Sequence, residues 1–567
     1  MDTKEYISYL NSLHNYNAQN ENAYAEKNIE NDYYQKIMVD IKIVDYITKN
    51  LEHSEPHLLV LTGQAGDGKT SIMVQVLQNY GCSLITDQQE QIIELPNGKE
   101  CVCIKDFSEL SDAKKKEVLQ TAVNLPSEGK YAFIVTNTGP LINTFKALFD
   151  QEEDKNNAEI ELIDSIDKND GVIREISARN YKIRAINVAS LDNTYFATKF
   201  LRKVIDDELW QCDHENCKEC NYCLIKKNRD LIKANQSKTE EFINLYYTWL
   251  ASHGKRLTIR SITEHIAYMI TGGYDCHTIE PQNAYDYLYP NLFFGYIGIT
   301  KNPNADKISA IKAGREYHLD SKRLCSDEAL LINKDYKVFS PSAEKIVEKA
   351  AQANLDLPGT NEMMHRFYFF MNTRTGDLDN QDIADIYSKN YKRYLDLTRN
   401  DGYNFASDRE LIFDGLSMIY TGVRTDDQSI PVTLSRNTGL TQNIQLVVGK
   451  LMKSKINVLV EDDPGAAFDN ENSPKILKIQ IRDKGKKPLK IDLSLPLIDY
   501  FEDLRDGVIE TDIDPQLSQG LEKLKSQITE FVKDDDVEDI EIAINKSDCL
   551  KFYTLDIDDQ EKKIYCY

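Results

Sequence analysis

The chain has no apolar run approaching the roughly 18 residues that a membrane span requires. Its first stretch, Met1 to Asp32, is polar and acidic, without the apolar core of a secretory signal. Both absences predict a soluble, cytoplasmic protein with no membrane partner. Positive charge is also scarce: 68 Lys and Arg stand against 92 Asp and Glu, a formal net charge of −24. Nonspecific affinity for nucleic acid comes from Lys and Arg neutralising phosphates, so an acidic chain without a long basic run is a poor free-standing DNA binder. A local basic face, or action on DNA through a partner, remains open. No repeat of fixed period is apparent. Apolar residues make up 41% of the 567, which suffices for sizeable cores in several domains.

What is present begins with Gly63-Gln64-Ala65-Gly66-Asp67-Gly68-Lys69-Thr70, directly after the apolar run Leu58–Leu61. This is G-x-x-x-x-G-K-[ST] with a strand leading in and a helix, Ser71 to Gln78, leading out, the context a phosphate-binding P-loop requires. The glycines permit a sharp turn that aims backbone N–H groups at phosphate oxygens, and the helix N-terminus adds to the attraction. Residues 63–71, Ser71 included, are therefore expected to bind a nucleoside triphosphate. Lys69 would reach its β- and γ-phosphates, and the Thr70 hydroxyl would ligate Mg²⁺.

Such a site needs an acidic group for the metal at the end of a strand, expected beside the loop strand. Asp106, closing Cys101–Lys105, fits that need. Phe107 follows where a water-activating glutamate is usual, so Glu109, one turn on, is the nearest substitute general base. The strand Tyr131–Thr136 ends in Asn137, which can orient the attacking water or cap the turn before Gly139-Pro140. Downstream, Arg256 to Tyr268 opens an amphipathic helix with apolar residues at 259, 262, 266 and 269. Arg260 sits in its first turn, against the dipole preference for acids there, as a cation awaiting an anion does. Arg256 competes for the same role. Arg174, Arg179, Arg184, Arg315 and Arg323 are candidates for an arginine finger supplied to a neighbouring subunit.

Four of the 11 cysteines cluster as Cys212, Cys217, Cys220 and Cys223, the spacing C-x4-C-x2-C-x2-C. Four soft ligands within twelve residues predict tetrahedral Zn²⁺ in a closed, structural site, with an iron–sulfur cluster as the alternative. Scattered thiols in a chain without an export signal argue against disulfides.

Apolar runs at Leu58–Thr62, Cys101–Lys105, Tyr131–Thr136 and Ile183–Val188 alternate with helical patterns such as Ser111–Val123. Together they predict an α/β fold built on a parallel, doubly wound sheet. The expected organisation is a helical, tyrosine-rich lead-in (1–55), a nucleotide-binding domain (56–195), a helical lid with the cysteine insertion (196–275), a mainly helical segment (276–429) and an α+β domain (430–567). In the last, Ile476–Arg482 and Leu489–Leu495 flank Asp483-Lys484-Gly485-Lys486 as a hairpin. Further strands are expected at Ile456–Val460, Ile540–Ile544, Lys551–Leu555 and Lys563–Tyr567. The aromatic stretches Tyr285–Tyr296 and Phe367–Phe370 lack interleaved Lys and Arg and read as core.

In order and spacing, the glycine-rich loop, Lys105-Asp106, Thr136-Asn137 and Leu257-Thr258-Ile259-Arg260 resemble the AAA+-like P-loop ATPases of prokaryotic anti-phage and restriction systems. Among these, the chain is most similar to the DptF-type ATPases of phosphorothioation-dependent DNA restriction. The resemblance covers about residues 30–275 and implies that Asn137 is a sensor-1 and Arg260 a sensor-2 residue. It further implies an ATP-hydrolysing component of a multi-subunit defence complex, homo- or hetero-oligomeric, that meets DNA through its partners. The nuclease or helicase would then lie on other chains, since no nuclease motif is evident here. The missing glutamate after Asp106 departs from most AAA+ enzymes. An alternative is therefore a STAND-like sensor or scaffold that oligomerises on binding ATP and hydrolyses it slowly.

Overall fold

The computed structural model describes residues 2–14, 31–85, 88–176, 179–211, 223–275, 281–317, 328–355, 357–371, 388–399, 405–424, 427–434, 444–462, 468, 475–508, 513, 515–533, 540–546, 549–558 and 563–566. The chain divides into two compact units, the first holding residues 1–251, 255–386 and 464–473, the second 252–254, 387–463 and 474–567. Among the described residues no helix is long and apolar enough to cross a membrane.

The first unit is built on a six-stranded α/β sheet: β1 (Leu58–Thr62), β2 (Glu90–Glu94), β3 (Glu100–Ile104), β4 (Tyr131–Val135), β5 (Arg174–Ile176) and β6 (Tyr181–Asn187), in the order β2-β3-β4-β1-β6-β5. The inner four run parallel, with Leu58 opposite Ala132 and Ile183. The expectation of a parallel sheet needs amending at both edges, where β2 and β5 pair antiparallel to their neighbours. Both edge strands are polar and short, Glu-Gln-Ile-Ile-Glu and Arg-Glu-Ile, compositions that carry little strand signal and suit a sheet border.

Alternation along the inner strands serves two cores, because successive side chains point to opposite faces. Leu59 and Leu61 of β1 join Cys101, Cys103, Phe133 and Val135 against Ile72, Met73 and Val76 of the helix Lys69–Asn79. Leu58 and Val60 join Ile104, Ile134 and Ala185 against Val118, Leu119, Leu141, Phe145 and Leu162 from three helices on the other face. All five residues of β1 are buried, as are all five of β4. Truncating one of these leucines to alanine would cost about 2–5 kcal/mol through lost burial and the cavity left behind.

The position of β4 corrects one expectation. The Asp106 strand, β3, is not beside β1; β4 lies between them. The physical reason is burial: β4 is apolar on both faces, whereas β3 leaves Glu100 exposed and Val102 partly so, and tolerates the outer place.

Helices follow the sheet, among them Thr194–Val204, Leu224–Ala234, Gln236–Ser252 and Ile259–Thr271. The N-terminal helix Thr3–Ser12 belongs to the same body: Tyr6 donates its hydroxyl proton to the Val204 carbonyl at 3.0 Å, and Asn11 donates to that of Tyr274 at 3.0 Å. The aromatic stretches form core as expected. Phe242 and Phe370 rings lie 4.3 Å apart between centroids, and Phe367, Phe369, Phe370 and Tyr289 are buried.

The second unit carries a five-stranded antiparallel sheet, in the order Lys563–Cys566, Cys549–Asp558, Ile540–Lys546, Ile444–Met452, Ser429–Leu434. A three-stranded sheet adds Ile456–Asp462, Lys475–Ile481 and Leu489–Asp492. The expected hairpin is the pair Lys475–Ile481 and Leu489–Asp492, with Ile481 opposite Leu489 and Gly485 in the turn at φ +81°. Leu416, Val432, Ile479, Phe501 and Leu524 share its core with helices Ala406–Thr421, Leu495–Arg505 and Pro515–Val532.

Candidate functional site

At the C-terminal ends of β1 and β4 the first unit encloses a cleft of about 280 Å³. Its lining includes Ala65 to Ser71, Asp106, Glu109, Asn137 and Arg260, so expected residues from four separate segments converge there, with Ser108 beside them. The same lining includes apolar and aromatic side chains, Tyr9, Leu13, Tyr34, Met38, Phe196 and Phe200.

The glycine-rich loop folds as its sequence dictates. Gly66 and Gly68 adopt φ of +87° and +79°, a region that only glycine enters without strain. Gly68 caps the helix Lys69–Asn79 and supplies no side chain to it, so the helix start presents its first N–H groups toward the cleft with no side-chain cap. Lys69 is buried to 8% exposure; its ammonium donates to the Gln64 carbonyl at 2.6 Å and to Asn137 Oδ1 at 3.1 Å. Burial pulls its pKa below the ordinary lysine value; Asp67 opposes this, and Arg260 and Arg256 lower it further.

Asp106 lies two residues past the end of β3, in the left-handed region at φ +50°, and starts a single 3-10 turn, Phe107–Glu109; Asp106 and Glu109 both line the cleft. Phe107, in the place of the usual glutamate, is wholly buried in the core. Ser108, a residue that sequence patterns did not single out, ties this turn to the end of β4. It accepts the Asn137 N–H at 2.7 Å and lies 3.2 Å from the Thr136 hydroxyl.

The helix Ile259–Thr271 begins at Thr258, whose hydroxyl accepts the Ser261 N–H at 3.1 Å. Arg260 lies in its first turn, as expected, and its own N–H donates to the Gly66 carbonyl at 3.1 Å. Arg256 points elsewhere, donating to Asp67 Oδ1 at 2.8 Å and to the Val188 carbonyl at 3.1 Å. Of the two arginines, Arg260 lines the cleft and Arg256 binds the loop.

The lead-in residues also build the site. Gln75 of the loop helix donates to the Val39 carbonyl at 3.0 Å and accepts the Ile41 N–H at 3.2 Å, strapping residues 39–41 to it. The Tyr34 hydroxyl lies 3.0 Å from Ser71 Oγ. No local motif announced these contacts, since they join residues 34 or more positions apart.

The remaining expectations divide. Arg184 is buried in the middle of β6, opposite Leu59, donating to Ser54 Oγ at 3.2 Å. It is therefore withdrawn as an arginine finger, because a neighbouring molecule cannot reach it. Arg315 is held by the Phe294 and Asn302 carbonyls and Asp306, and Arg174 by Asp170. Arg323, Cys212, Cys217 and Cys220 lie outside the described residues. Cys223 has a buried thiol at the start of the helix Leu224–Ala234. Among the described residues, no group of three His, Cys, Asp or Glu side chains could hold a metal ion.

No known protein family, curated protein or solved structure matches this chain.

Proposed function

We propose that this chain binds and hydrolyses ATP as one component of a multi-subunit prokaryotic anti-phage DNA restriction complex, related to the DptF-type ATPases. The observation that carries the nucleotide reading is the single cleft shared by the glycine-rich loop, Lys69, Asp106, Asn137 and Arg260. Loop amides and the helix start would cradle the triphosphate, and the apolar and aromatic lining, Tyr9, Tyr34 and Phe200 among it, would take the base. Lys69, buried and donating to the Gln64 carbonyl and to Asn137, would meet the β- and γ-phosphates. Asn137, in contact with Lys69, would orient the attacking water, with Glu109, the next acidic residue after Asp106 in the sequence, to accept its proton. Arg260 would touch the γ-phosphate from the lid.

The residues present fit a divalent cation, since Thr70 and Asp106 line the same cleft; Mg²⁺ there would neutralise charge developing on the phosphates. A structural Zn²⁺ held by Cys212, Cys217, Cys220 and Cys223 rests on the spacing of these four residues in the sequence. The restriction setting, and contact with DNA through partner subunits, rest on the sequence resemblance and on the acidic charge.

The buried Phe107 beside Asp106 favours a second reading, a STAND-like scaffold in which ATP binding drives assembly and hydrolysis is slow. ATP turnover with and without DNA, alongside Lys69→Ala, separates the two. The first reading expects turnover that DNA stimulates and that falls at least roughly tenfold in the variant. Unchanged turnover in Lys69→Ala would refute its role, and ATP-driven assembly with little turnover would favour the scaffold.

A further inference from the structure

Asp67 is an anion inside a loop read as an anion cradle, and its side chain is fully buried. Left alone, such a carboxylate would repel a triphosphate and pay the desolvation penalty of an unpaired charge. It is not alone. Oδ2 accepts the Gln64 N–H at 2.7 Å, which closes the loop on itself. Oδ1 accepts Arg256 Nη1 at 2.8 Å, across 189 positions of sequence. Arg256 Nη2 then reaches the Val188 carbonyl, just past the end of β6. Two residues further along from Arg256, the lid helix begins at Thr258, and its Arg260 N–H returns to the Gly66 carbonyl at 3.1 Å. Loop, sheet end and lid helix thus form one closed hydrogen-bonded ring with Asp67 and Arg256 at its centre.

We infer that Arg256 is a positioning residue: paired with Asp67, it docks the lid helix on the glycine-rich loop and thereby holds Arg260 over the phosphate site. This deepens the nucleotide-binding reading and rests on it for its consequence, though the ring itself does not. The guanidinium fork suits the task, since it makes two bonds in fixed geometry to two different segments, where a lysine could make one. Neutralised by Arg256, Asp67 shapes the loop without leaving net negative charge beside the phosphates. Arg260 is placed by the backbone that Arg256 anchors, so the two arginines act in series.

Two measurements test this on the full chain. The first needs no nucleotide. Amide hydrogen exchange in Arg256→Ala is expected to accelerate together in segments 63–70 and 256–264, by at least about tenfold, with β1 unchanged. Acceleration confined to 256–264, or none, overturns the inference. The second reads turnover in Arg260→Ala, Arg256→Ala and the double variant. The double is expected to be no slower than Arg256→Ala within about twofold, because Arg260 is already misplaced. Multiplying losses, or wild-type turnover in Arg256→Ala, overturns it. Arg256→Lys, which keeps the charge and one bond, is expected to recover kcat in part, with thermal melting of every variant checking that it folds. If wild-type protein neither binds a fluorescent ATP analogue nor hydrolyses ATP, the nucleotide reading fails while the exchange experiment still decides the ring.

Discussion

Replacing Gly66 by alanine separates backbone strain from the loop–lid contact, because Gly81 offers a matched control. Both glycines hold positive φ, +87° and +69°, and alanine would pay about 1–2 kcal/mol at either for that backbone alone. At Gly81 a new β-carbon meets nothing within 4 Å. At Gly66 it would lie 3.2 Å from Arg260 Cβ and 3.2 Å from Thr258 Oγ1. Neither neighbour is a flexible tip. Thr258 Oγ1 caps the helix through Ser261, and the Arg260 backbone is bonded to Gly66 itself, so relief requires the helix start to back away. Overpacking of this kind adds about 1–3 kcal/mol, bringing Gly66→Ala to roughly 2–5 kcal/mol. The assay is thermal melting together with titration of a fluorescent ATP analogue. Gly81→Ala is expected to lower the melting temperature slightly and to keep affinity within about twofold, whereas Gly66→Ala weakens binding at least about tenfold. Equal effects of the two variants on both readouts would refute the claim that loop and lid are built as one piece.

Elemental analysis of purified protein is expected to find about one zinc per chain, lost when Cys217 and Cys220 are changed to serine; iron, or no metal, would overturn the tetrathiolate assignment. Burial raises the Glu264 carboxyl from the ordinary 4.5 to about 7, with Arg260 pulling the other way. The folded chain therefore keeps this proton where the unfolded chain has lost it, and stability falls as pH rises between those two values. Glu264→Gln should remove that decline and stabilise the protein at pH 8 by roughly 3 kcal/mol. Melting curves at pH 5 and pH 8 that shift identically in wild type and variant would show that the carboxyl is ionised in the fold.

Much of the first unit was legible in local sequence, for a physical reason. Strands β1, β3 and β4 are mainly apolar runs of five residues, β6 sets Tyr181, Ile183, Ala185 and Ile186 around Lys182 and Arg184, and β1 runs Leu58–Thr62 as expected. The loop motif was legible because its chemistry is local: glycine conformations and a helix start can be read from eight adjacent letters. Strand order was not, since neither Cys101–Lys105 nor Tyr131–Thr136 states its partner, and β4 took the place beside β1 through burial on both faces. Edge strands β2 and β5 were invisible because Ile92 is exposed and the rest is largely polar, so alternation had nothing to report. The same holds for the site. Lys69, Asp106, Asn137 and Arg260 stood out by type and position, whereas Ser108 and Tyr34 gain their roles through contacts that cross the sequence. Arg256 was visible only as a rival to Arg260, and its bond to Asp67 explains why the rivalry ends in a division of labour.

The strap from residues 39 to 41 bears on how this molecule can be cut. A fragment trimmed to begin at the first sheet strand would look reasonable by motif, since the whole glycine-rich loop survives. It would nonetheless strip the Gln75 amide of the Val39 carbonyl and the Ile41 N–H, bare the apolar faces of Ile72 and Val76, and remove Tyr9 and Tyr34 from one wall of the cleft. What reads as a preamble to the first sheet strand helps line the cleft, and a fragment that keeps the cleft intact must carry it.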